Sequence, residues 1–432
     1  MSAVGVGGAR KRTATTAAPS SFAAWRTAAW ASPTTSYYLI AGASLFLLVI
    51  GLVMVLSASM VDSLNKSNGV TPFTDFVDQL VFAAIAVPAA LVASRFKPLW
   101  FRRMAWPILA GALLLQGLMF IPSLAVEVGG NVNWVRLPGL GTFQPSEFAK
   151  LGLVIWLGAV LATKGELLRQ WRHALVPTVL GAGVMIALVL RGHDLGTTLI
   201  LLALVAGALW VAGVPTSLFV LLGSFAAAGA GFLVFSSANR RDRVMQFLGM
   251  GDGSSVVDTF QGDLALQALG SGGLSGVGLG ASSIKWRGLP AAQDDYIFAI
   301  LGEELGLLGA LLVVALFVVL AVGLTRVVTR HPDPFVKITT AAIAAWIIGQ
   351  AFVNIGVVIG VLPVIGVPLP LVSAGGSSLI TTLIALGVVL AFARSEPGAA
   401  EAFAARRGSV RRSLAVLAPR LRRGAGRSAT RG

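Results

Sequence analysis

Two adjacent carboxylates stand where a polar segment of the chain runs into a long apolar one. Asp294 and Asp295 follow Gln293 and precede the apolar run that begins at Tyr296. Repulsion between neighbouring carboxylates, together with partial removal from water, makes one of them a better proton acceptor, which suits a general base. The alternative is that Asp294 or Asp295 caps the start of a helix. The sequence leaves both interpretations open.

Two further carboxylates, Glu303 and Glu304, lie about two helical turns beyond Asp295, roughly 12 Å along a helix axis. An ionised side chain within an apolar helix is costly unless it has a partner. Gly302 and Gly306 flank the pair and allow another segment to approach closely. We therefore expect Glu303 and Glu304 to meet polar partners inside a helix bundle.

The cluster from Gln144 to Lys150 opens another apolar segment. The proline after Gln144 suits the first turn of a helix, and Glu147 complements the positive end of the helix dipole. Glu147 and Lys150 are three residues apart and can face each other. Lys150 then either neutralises Glu147 or binds an anionic head group, with Gln144 and Ser146 adding hydrogen bonds. Arg136, in the preceding segment, is a further candidate for binding an anion.

Two more polar clusters interrupt apolar segments. Asp194 precedes an apolar run, where it either caps a helix or positions a substrate or a basic partner such as Arg191 or Arg243. Asn354 is followed, as far as Ser377, by several prolines and glycines. Irregular backbone at membrane depth must line a cavity or be buried in protein, and its N–H groups can receive an anion.

Several kinds of site are excluded. The chain has no cysteine, which rules out disulfides, cysteine-ligated zinc and thiol nucleophiles. It shows no phosphate-binding loop, no metal-ligand spacing and no Ser/His/Asp set. We therefore expect no ATP-driven pump and no metal held by the protein alone.

The elements that must position these clusters are membrane helices. Of the 432 residues, 56% are hydrophobic and 12% are charged, and the mean hydropathy is +0.83. A soluble domain carries about twice that charged fraction. The sequence predicts an all-α polytopic membrane protein with about ten transmembrane helices. The apolar runs of spanning length are 38–59, 77–94, 104–121, 149–163, 174–190, 195–213, 216–236, 296–323, 338–361 and 374–393.

Basic residues predict the orientation. With the N-terminus in the cytoplasm, most basic loop residues face inside, and only Lys66, Arg136 and Arg191 fall in the short outside loops. Both termini are then cytoplasmic, and the polar clusters lie at the outer face. The long connection 237–295 is also outside, and its balanced charge and many glycines favour a functional loop over a disordered linker.

Two basic tails flank the predicted membrane domain of residues 38–393. The tails, residues 1–37 and 394–432, hold most of the formal net charge of +15. We expect both to be disordered and cytoplasmic, and to contact anionic lipid rather than nucleic acid. The first apolar run is expected to be a retained span, because it lacks the pattern of a cleaved signal peptide.

These clusters, in this order, resemble the SEDS family (shape, elongation, division and sporulation) over about residues 38–393. The first span and the basic C-terminal tail look more like the cell-division branch of the family than its elongation branch. The matching stretches are Gly51 to Ser59, Gln144 to Lys150, Asp194 to Thr197, Leu289 to Ala299, Gly302 to Gly306 and Asn354 to Ser378.

The resemblance implies a peptidoglycan glycosyltransferase with ten membrane helices that polymerises lipid II at the outer face of the bacterial cytoplasmic membrane, at the division septum. It implies a class B penicillin-binding protein, an FtsI-like transpeptidase, and other divisome membrane proteins as partners. Asp295 corresponds to the essential aspartate of the family, the base that deprotonates the acceptor hydroxyl. Undecaprenyl pyrophosphate then leaves the donor sugar, whose anomeric centre is inverted.

The resemblance also suggests which residues bind the substrate. Lys150 and Arg243, and then Arg136, are the candidates to stabilise the leaving pyrophosphate. A divalent cation, Mg or Mn, on the pyrophosphate is compatible with this chemistry, but the sequence shows no site for it. The remaining substrate-binding candidates are Gln144, Ser146, Glu147, Asp194 and Ser377, and the supporting polar residues are Asp294, Glu303, Glu304 and Asn354.

The sequence departs from the family pattern at several positions. Gln293 stands where the family usually has histidine, Phe260 where it has tyrosine, and His193 where it has proline. Leu264 and Ala265 replace polar residues. The departures leave open whether Asp294 or Asp295 is the base, although the alignment favours Asp295. They bear on partner contacts more than on the fold.

Two other functions fit the same pattern. A lipid II flippase would need a similar cavity for an anionic lipid, but Asp295 would then be structural. A scaffold without enzymatic activity, which only recruits the penicillin-binding protein, would function with asparagine at position 295.

Overall fold

The computed structural model describes residues 30–66, 70–128, 131–139, 141–235, 241, 244–245, 256–287 and 293–405. Helices dominate this part of the chain. They are α1 (Thr35–Lys66), α2 (Thr74–Ala93), α3 (Pro98–Arg103), α4 (Ala105–Gly117), α5 (Pro145–Lys164), α6 (Trp171–Thr178), α7 (Val184–Arg191), α8 (Leu195–Val211), α9 (Thr216–Phe235), α10 (Val256–Ser271), α11 (Ile297–Arg330), α12 (Pro334–Val358) and α13 (Gly376–Arg394). Short helical turns of other types occupy Leu118–Phe120, Gly165–Arg169, Val179–Gly183 and Ile284–Arg287.

Every apolar run that the sequence analysis identified is helical. Among the described residues, six helices are long and apolar enough to cross a membrane, namely α1, α2, α5, α11, α12 and α13. The remaining runs form shorter apolar helices at Ala105–Phe120, Leu180–Arg191, Leu195–Val211 and Thr216–Gly229. The predicted class, a multi-pass helical membrane protein, is confirmed. The number of spans and their orientation stay predictions.

A small antiparallel sheet joins α4 to α5, which the sequence analysis did not predict. Its strands, β1 (Ala125–Val128), β2 (Asn131–Leu137) and β3 (Gly141–Phe143), lie in the order β1-β2-β3. Strands this short give too weak an alternation to be recognised beside long apolar runs. The sheet is fixed to the end of α7, because the N–H of Val132 donates to the carbonyl of Gly192 at 3.1 Å.

The helices pack as an interlocked bundle in which small residues permit close approach. The main neighbours are α13 with α2, α12 with α8, α11 with α1 and α4 with α5. A Cβ at Gly387 would lie 2.4 Å from the carbonyl oxygen of Ala90, so only glycine lets α13 pack this closely against α2. The interior is filled by large side chains such as Trp346, Phe335 and Phe392.

The long loop predicted at 237–295 contains α10, which packs against α11. Helix α11 is interrupted at Gly306, where φ is 69° and ψ is −169°. The loop fills the interruption, since the N–H groups of Val277 and Gly278 donate to the carbonyls of Glu303 and Glu304 at 3.0 and 3.1 Å. Backbone hydrogen bonds therefore hold this part of the loop on α11.

The opposite end of α11 is basic. Arg326 donates to the carbonyl of Trp30 at 2.8 Å and lies 4.3 Å from the centre of its ring. Arg330 donates to the carbonyls of Ala31 and Ser32. Residues 30–32 belong to the predicted N-terminal tail, so the last part of that tail is anchored to the bundle.

Candidate functional site

Two amide side chains on one face of α12 organise the segments around Asp295. Gln350 and Asn354 are one helical turn apart. The Nδ2 atom of Asn354 donates to the backbone carbonyls of Val367 and Asp295, both at 2.8 Å. The Nε2 atom of Gln350 donates to the carbonyl of Pro368 at 2.9 Å. Helix α12 thus holds together the irregular segment 362–375 and the start of α11.

Asp295 lies at the edge of this arrangement. Its side chain is partly exposed, whereas the residues that follow it in α11 are buried. A Cβ at Gly366, where φ is +74°, would lie 3.6 Å from Oδ2 of Asp295, so the carboxylate rests against backbone without a side chain in between. The N–H of Ala374 donates to the carbonyl of Gln293 at 2.9 Å. The main chain on both sides of the carboxylate is therefore fixed while the carboxylate itself stays accessible.

Asp294 lies beside Asp295 and is also partly exposed. Both carboxylates make polar interactions in the structure. The residue at the cap position of α11 is Tyr296, whose side chain makes no cap hydrogen bond. The role of Asp294 and the choice of base between Asp294 and Asp295 stay predictions.

Asp194 does cap its helix, and it does more than that. Its Oδ1 accepts from the N–H of Thr197 at 2.9 Å. Its Oδ2 accepts from the side-chain amides of Asn133 and Gln144, each at 3.2 Å. This buried carboxylate therefore joins β2, the start of α5 and the start of α8. Within the described residues it makes no salt bridge with Arg191, and Arg243, the other suggested partner, lies outside them.

Lys150 lies in a closed polar cluster. Its Nζ donates to Oε1 of Glu147 at 2.8 Å and to Oε1 of Gln350 at 3.0 Å, and it lies 4.9 Å from the ring centre of Trp346. Thr381 donates to the other oxygen of Glu147 at 3.3 Å. Lys150 is only 1% exposed. These contacts favour the ion-pair interpretation of Lys150 over direct binding of a head group.

The other predicted binding residues differ in exposure. The Oγ of Ser377 accepts from the N–H of Gln144 at 3.1 Å and so joins α13 to α5. The hydroxyl of Ser146 is buried without a hydrogen-bond partner. Arg136 is exposed on β2, and its side chain makes no salt bridge or hydrogen bond within the described part of the chain. Arg136 is therefore the candidate cation that is accessible to an anion.

Glu303 and Glu304 have the buried partners that their depth requires. Lys285 donates to Oε1 of Glu304 at 3.0 Å, and the hydroxyl of Ser57 on α1 donates to the same carboxylate at 2.6 Å. Glu303 accepts from the hydroxyl of Ser282 and from the N–H of Ser283. The two glutamates thus fix the part of the long loop around residues 282–285 to α11 and α1.

Sequence reasoning missed the residues that complete these networks. The sequence does contain a signal for Gln350 and Trp346. Each carries a polar group in an apolar helix, one turn and two turns before Asn354. Lys285 was recognised only as one charge among many in the loop, because nothing in its neighbourhood indicates a partner 19 residues away. Ser57 lies in a matching family stretch, but a single serine gives no signal of its own.

The described residues offer no site for a metal held by protein alone. In the ranges given above, no three His, Cys, Asp or Glu side chains come together as a group that could hold an ion.

Comparisons with known proteins agree with this architecture. A family model described as cell cycle proteins of the FtsW, RodA and SpoVE type matches residues 38–397. Among curated proteins, the chain is 37% identical over 396 residues to the probable peptidoglycan glycosyltransferase FtsW of Mycobacterium tuberculosis, covering 91% of this chain and 75% of that protein. It is 35% identical over 340 residues to the protein of the same name from Geobacter metallireducens, covering 79% and 90%.

Solved structures share the fold. A chain of a peptidoglycan synthase complex, studied for its coordination of polymerization and crosslinking, superposes with a TM-score of 0.64 at 26% identity, over 80% of this chain and 96% of that one. The rod shape determining protein RodA of Thermus thermophilus superposes with a TM-score of 0.59 at 26% identity, over 83% and 97%. The family model covers most of the chain and the curated relatives exceed 30% identity, so the chain belongs to the SEDS family.

Proposed function

We propose that this protein is a peptidoglycan glycosyltransferase that polymerises lipid II into glycan strands at the outer face of the cytoplasmic membrane. The observation that carries the proposal is the Asp295 carboxylate. It is partly exposed, and the backbone on both sides of it is held by Asn354 and by the contact between Ala374 and Gln293. The names of the curated relatives, peptidoglycan glycosyltransferases, support the same reaction.

The carboxylate of Asp295 acts as the general base. It takes the proton of the acceptor hydroxyl as the acceptor oxygen forms a bond to the anomeric carbon of the donor. The bond between that carbon and the pyrophosphate breaks on the opposite face, and undecaprenyl pyrophosphate leaves with the electron pair. An α-linked donor therefore gives a β-1,4 product. A fixed backbone around the base keeps the two reacting groups in line.

Negative charge that develops on the leaving pyrophosphate needs a cation. Arg136 is exposed and uncommitted within the described residues, whereas Lys150 is engaged with Glu147 and Gln350. We therefore propose Arg136 as the first candidate for this role and assign Lys150 a structural role in the site. Arg243 stays a candidate for binding the pyrophosphate. Mg or Mn would enter bound to the pyrophosphate. Polymerisation assayed with EDTA and with each metal tests that part of the proposal.

Purified protein and lipid II test the central claim. Asp295→Asn should reduce glycan formation by at least about a hundredfold, because an amide cannot accept the proton. Asp294→Asn is the matched control and should keep most of the activity. Each is measured with and without the cognate penicillin-binding protein. Full activity of Asp295→Asn would contradict the proposal, and lipid II translocation without any glycan product would favour a flippase.

The orientation can be tested separately, because the native chain has no cysteine. Leu274 is 71% exposed in the long loop, and the side chain of Arg169 is 80% exposed in the connection after α5. An impermeant thiol reagent applied to intact cells should label Leu274→Cys and not Arg169→Cys. The reverse pattern would place the site in the cytoplasm.

We further propose that the protein works at the division septum with a class B penicillin-binding protein. The neighbouring structure is a complex that coordinates polymerization with crosslinking, which supports a transpeptidase partner. A fluorescent fusion should concentrate at midcell. Copurification with the FtsI-like protein, rather than with its elongation counterpart, would identify the branch.

A further inference from the structure

A second concave site lies beside the network of Asp194. It is a cavity of about 760 Å³ between the helical turn Leu118–Phe120, strand β2 and the end of α7. Its lining includes Phe120, Val132, Arg191 and His193. None of the predicted catalytic residues lines it, so it is separate from the carboxylate of Asp295.

The walls of the cavity are fixed by close packing. A Cβ at Gly192 would lie 2.3 Å from Cε of Met119 and 2.6 Å from the carbonyl oxygen of Val132, so only glycine lets the strand meet α7 here. The next residue, His193, has a φ of 63°, in the left-handed region that costs a non-glycine residue of the order of 1 kcal/mol. This backbone conformation places the exposed imidazole of His193 at the rim of the cavity.

Arg191 gives the cavity a positive charge, and no carboxylate is among the lining residues. The guanidinium of Arg191 lies 5.6 Å from the ring centre of Phe120, which holds it at the cavity. Arg191 is exposed and makes no salt bridge within the described part of the chain. Glu127, opposite Val132 on β1, is exposed and does not line the cavity.

The rest of the lining is apolar. Met119, Phe120, Ala187 and Leu190 contribute carbon surface beneath the basic rim. A free phosphate ion would leave this surface uncovered, whereas a lipid places a chain on it and a phosphate at the arginine. Guanidinium groups suit phosphate because they offer several N–H donors in one plane.

We propose that this cavity binds the phosphate group of a membrane lipid, with Arg191 as the anion-binding residue and the apolar floor beneath an acyl or prenyl chain. The phosphate can come from an anionic phospholipid or from an undecaprenyl-linked diphosphate. The site does not depend on the proposed glycosyltransferase reaction, since it is defined by binding alone.

Lipid binding by the full-length protein in detergent tests this site by native mass spectrometry, with phosphatidylglycerol and undecaprenyl pyrophosphate as separate probes. Arg191→Gln removes the charge, and Ala187→Phe fills the floor without changing the charge. Arg172→Gln is the matched control, because Arg172 also lies over an aromatic ring, at 5.2 Å from Trp171, but does not line this cavity. Size-exclusion elution and the Tm establish that each variant is folded.

Arg191→Gln and Ala187→Phe should each weaken binding of at least one probe about fivefold or more, while Arg172→Gln binds like the wild type. A loss confined to phosphatidylglycerol identifies a phospholipid site, and a loss confined to undecaprenyl pyrophosphate identifies a subsite for a prenyl diphosphate. The proposal is overturned if Arg191→Gln binds both probes normally. It is equally overturned if Arg172→Gln loses as much as Arg191→Gln, which would indicate general attraction to basic surface.

Arg191 also ends α7, where a positive charge complements the helix dipole. That role alone would lower the Tm of Arg191→Gln and leave lipid binding intact. Arg191→Lys separates the two roles, because it keeps the dipole interaction but loses the planar set of donors. We expect Arg191→Lys to retain the wild-type Tm and to show intermediate lipid binding.

Discussion

Two buried lysine–glutamate pairs support the site in different ways. Glu147 and Lys150 lie three residues apart in one helix, with 2.8 Å between Nζ and Oε1. Lys285 and Glu304 join the long loop to α11, with 3.0 Å between the corresponding atoms. The first pair sits where a helix begins, and the second sits where a helix is interrupted.

The two pairs depend on different neighbours. Lys150 keeps two further contacts, Gln350 and the face of Trp346, that do not involve the carboxylate. Lys285 also donates to the carbonyl of Gly280, within its own loop, and to Ser57 on α1, and Glu304 accepts from both Lys285 and Ser57. The local pair therefore stabilises a helix start, whereas the long-range pair adds a side-chain attachment between the loop before Asp295, α11 and α1.

The largest effect is expected from Glu304→Ala. It leaves the ammonium of Lys285 buried without its carboxylate and should lower the free energy of unfolding by about 3–5 kcal/mol. Hydrogen exchange of residues 272–285 should accelerate at the same time, because the loop loses the side-chain attachment through Glu304. Unfolding in mixed detergent and exchange mass spectrometry measure the two effects. Unchanged exchange in this segment would show that the backbone bonds alone hold the loop.

Glu147→Ala should cost less, about 1–3 kcal/mol, because Glu147 accepts only from Lys150 and, at 3.3 Å, from Thr381, whereas Glu304 accepts from Lys285, Ser57 and the N–H of Ser282. Exchange of residues 272–285 should stay at the wild-type rate. The same two measurements apply, so the variants can be compared directly. A cost equal to that of Glu304→Ala would remove the distinction between the local and the long-range pair.

Replacing both members of the long-range pair by apolar residues of similar size tests whether charge itself is needed. Lys285→Met with Glu304→Leu leaves no unpaired ion and should be within about 1 kcal/mol of the wild type in stability. Glycan synthesis should nevertheless fall, since Ser57 and the loop lose their common partner. Wild-type activity in this double variant would show that the pair contributes stability and not position.

Another buried glutamate, Glu396, provides the smallest effect. Arg326 and Arg330 lie near it, but within the described residues it makes no salt bridge. Burial raises the pKa of Glu396 above its ordinary value of 4.5, with Ser36 and the two arginines acting in the opposite direction. The folded state therefore binds this proton more tightly than the unfolded state, and stability is lost as the pH rises through the raised pKa.

Glu396→Gln should remove this pH-dependent loss of stability, because glutamine does not ionise. Its Tm should exceed the wild-type Tm by about 1–2 °C near pH 8 and match it near pH 4, where both side chains are neutral. Glu147→Gln is the control, and it should lower the Tm near pH 8 because its carboxylate is paired. A higher Tm for Glu396→Gln at both pH values would point to better packing and not to ionisation.

More of the fold than of the candidate site could be predicted from the sequence. Long apolar runs identify membrane helices because lipid leaves the backbone few other ways to satisfy its hydrogen bonds, and each run is helical in the structure. The Glu147–Lys150 pair and the cap by Asp194 were also predictable, because they join residues within one turn. The sheet of β1 to β3 was not, because its strands are short and held partly by the end of α7.

Features that depend on neighbours along the chain can be read from the sequence. They are the helices, the basic and polar segments, and the carboxylates that need partners inside the bundle. The identity of those partners depends on the tertiary structure. Lys285 and Ser57 meet Glu304 from 19 and 247 residues away, and Asn354 reaches Asp295 from 59 residues away. Helical periodicity reaches only about four residues along the chain. Contacts over these longer distances exist only once the bundle has brought the helices and the loop together.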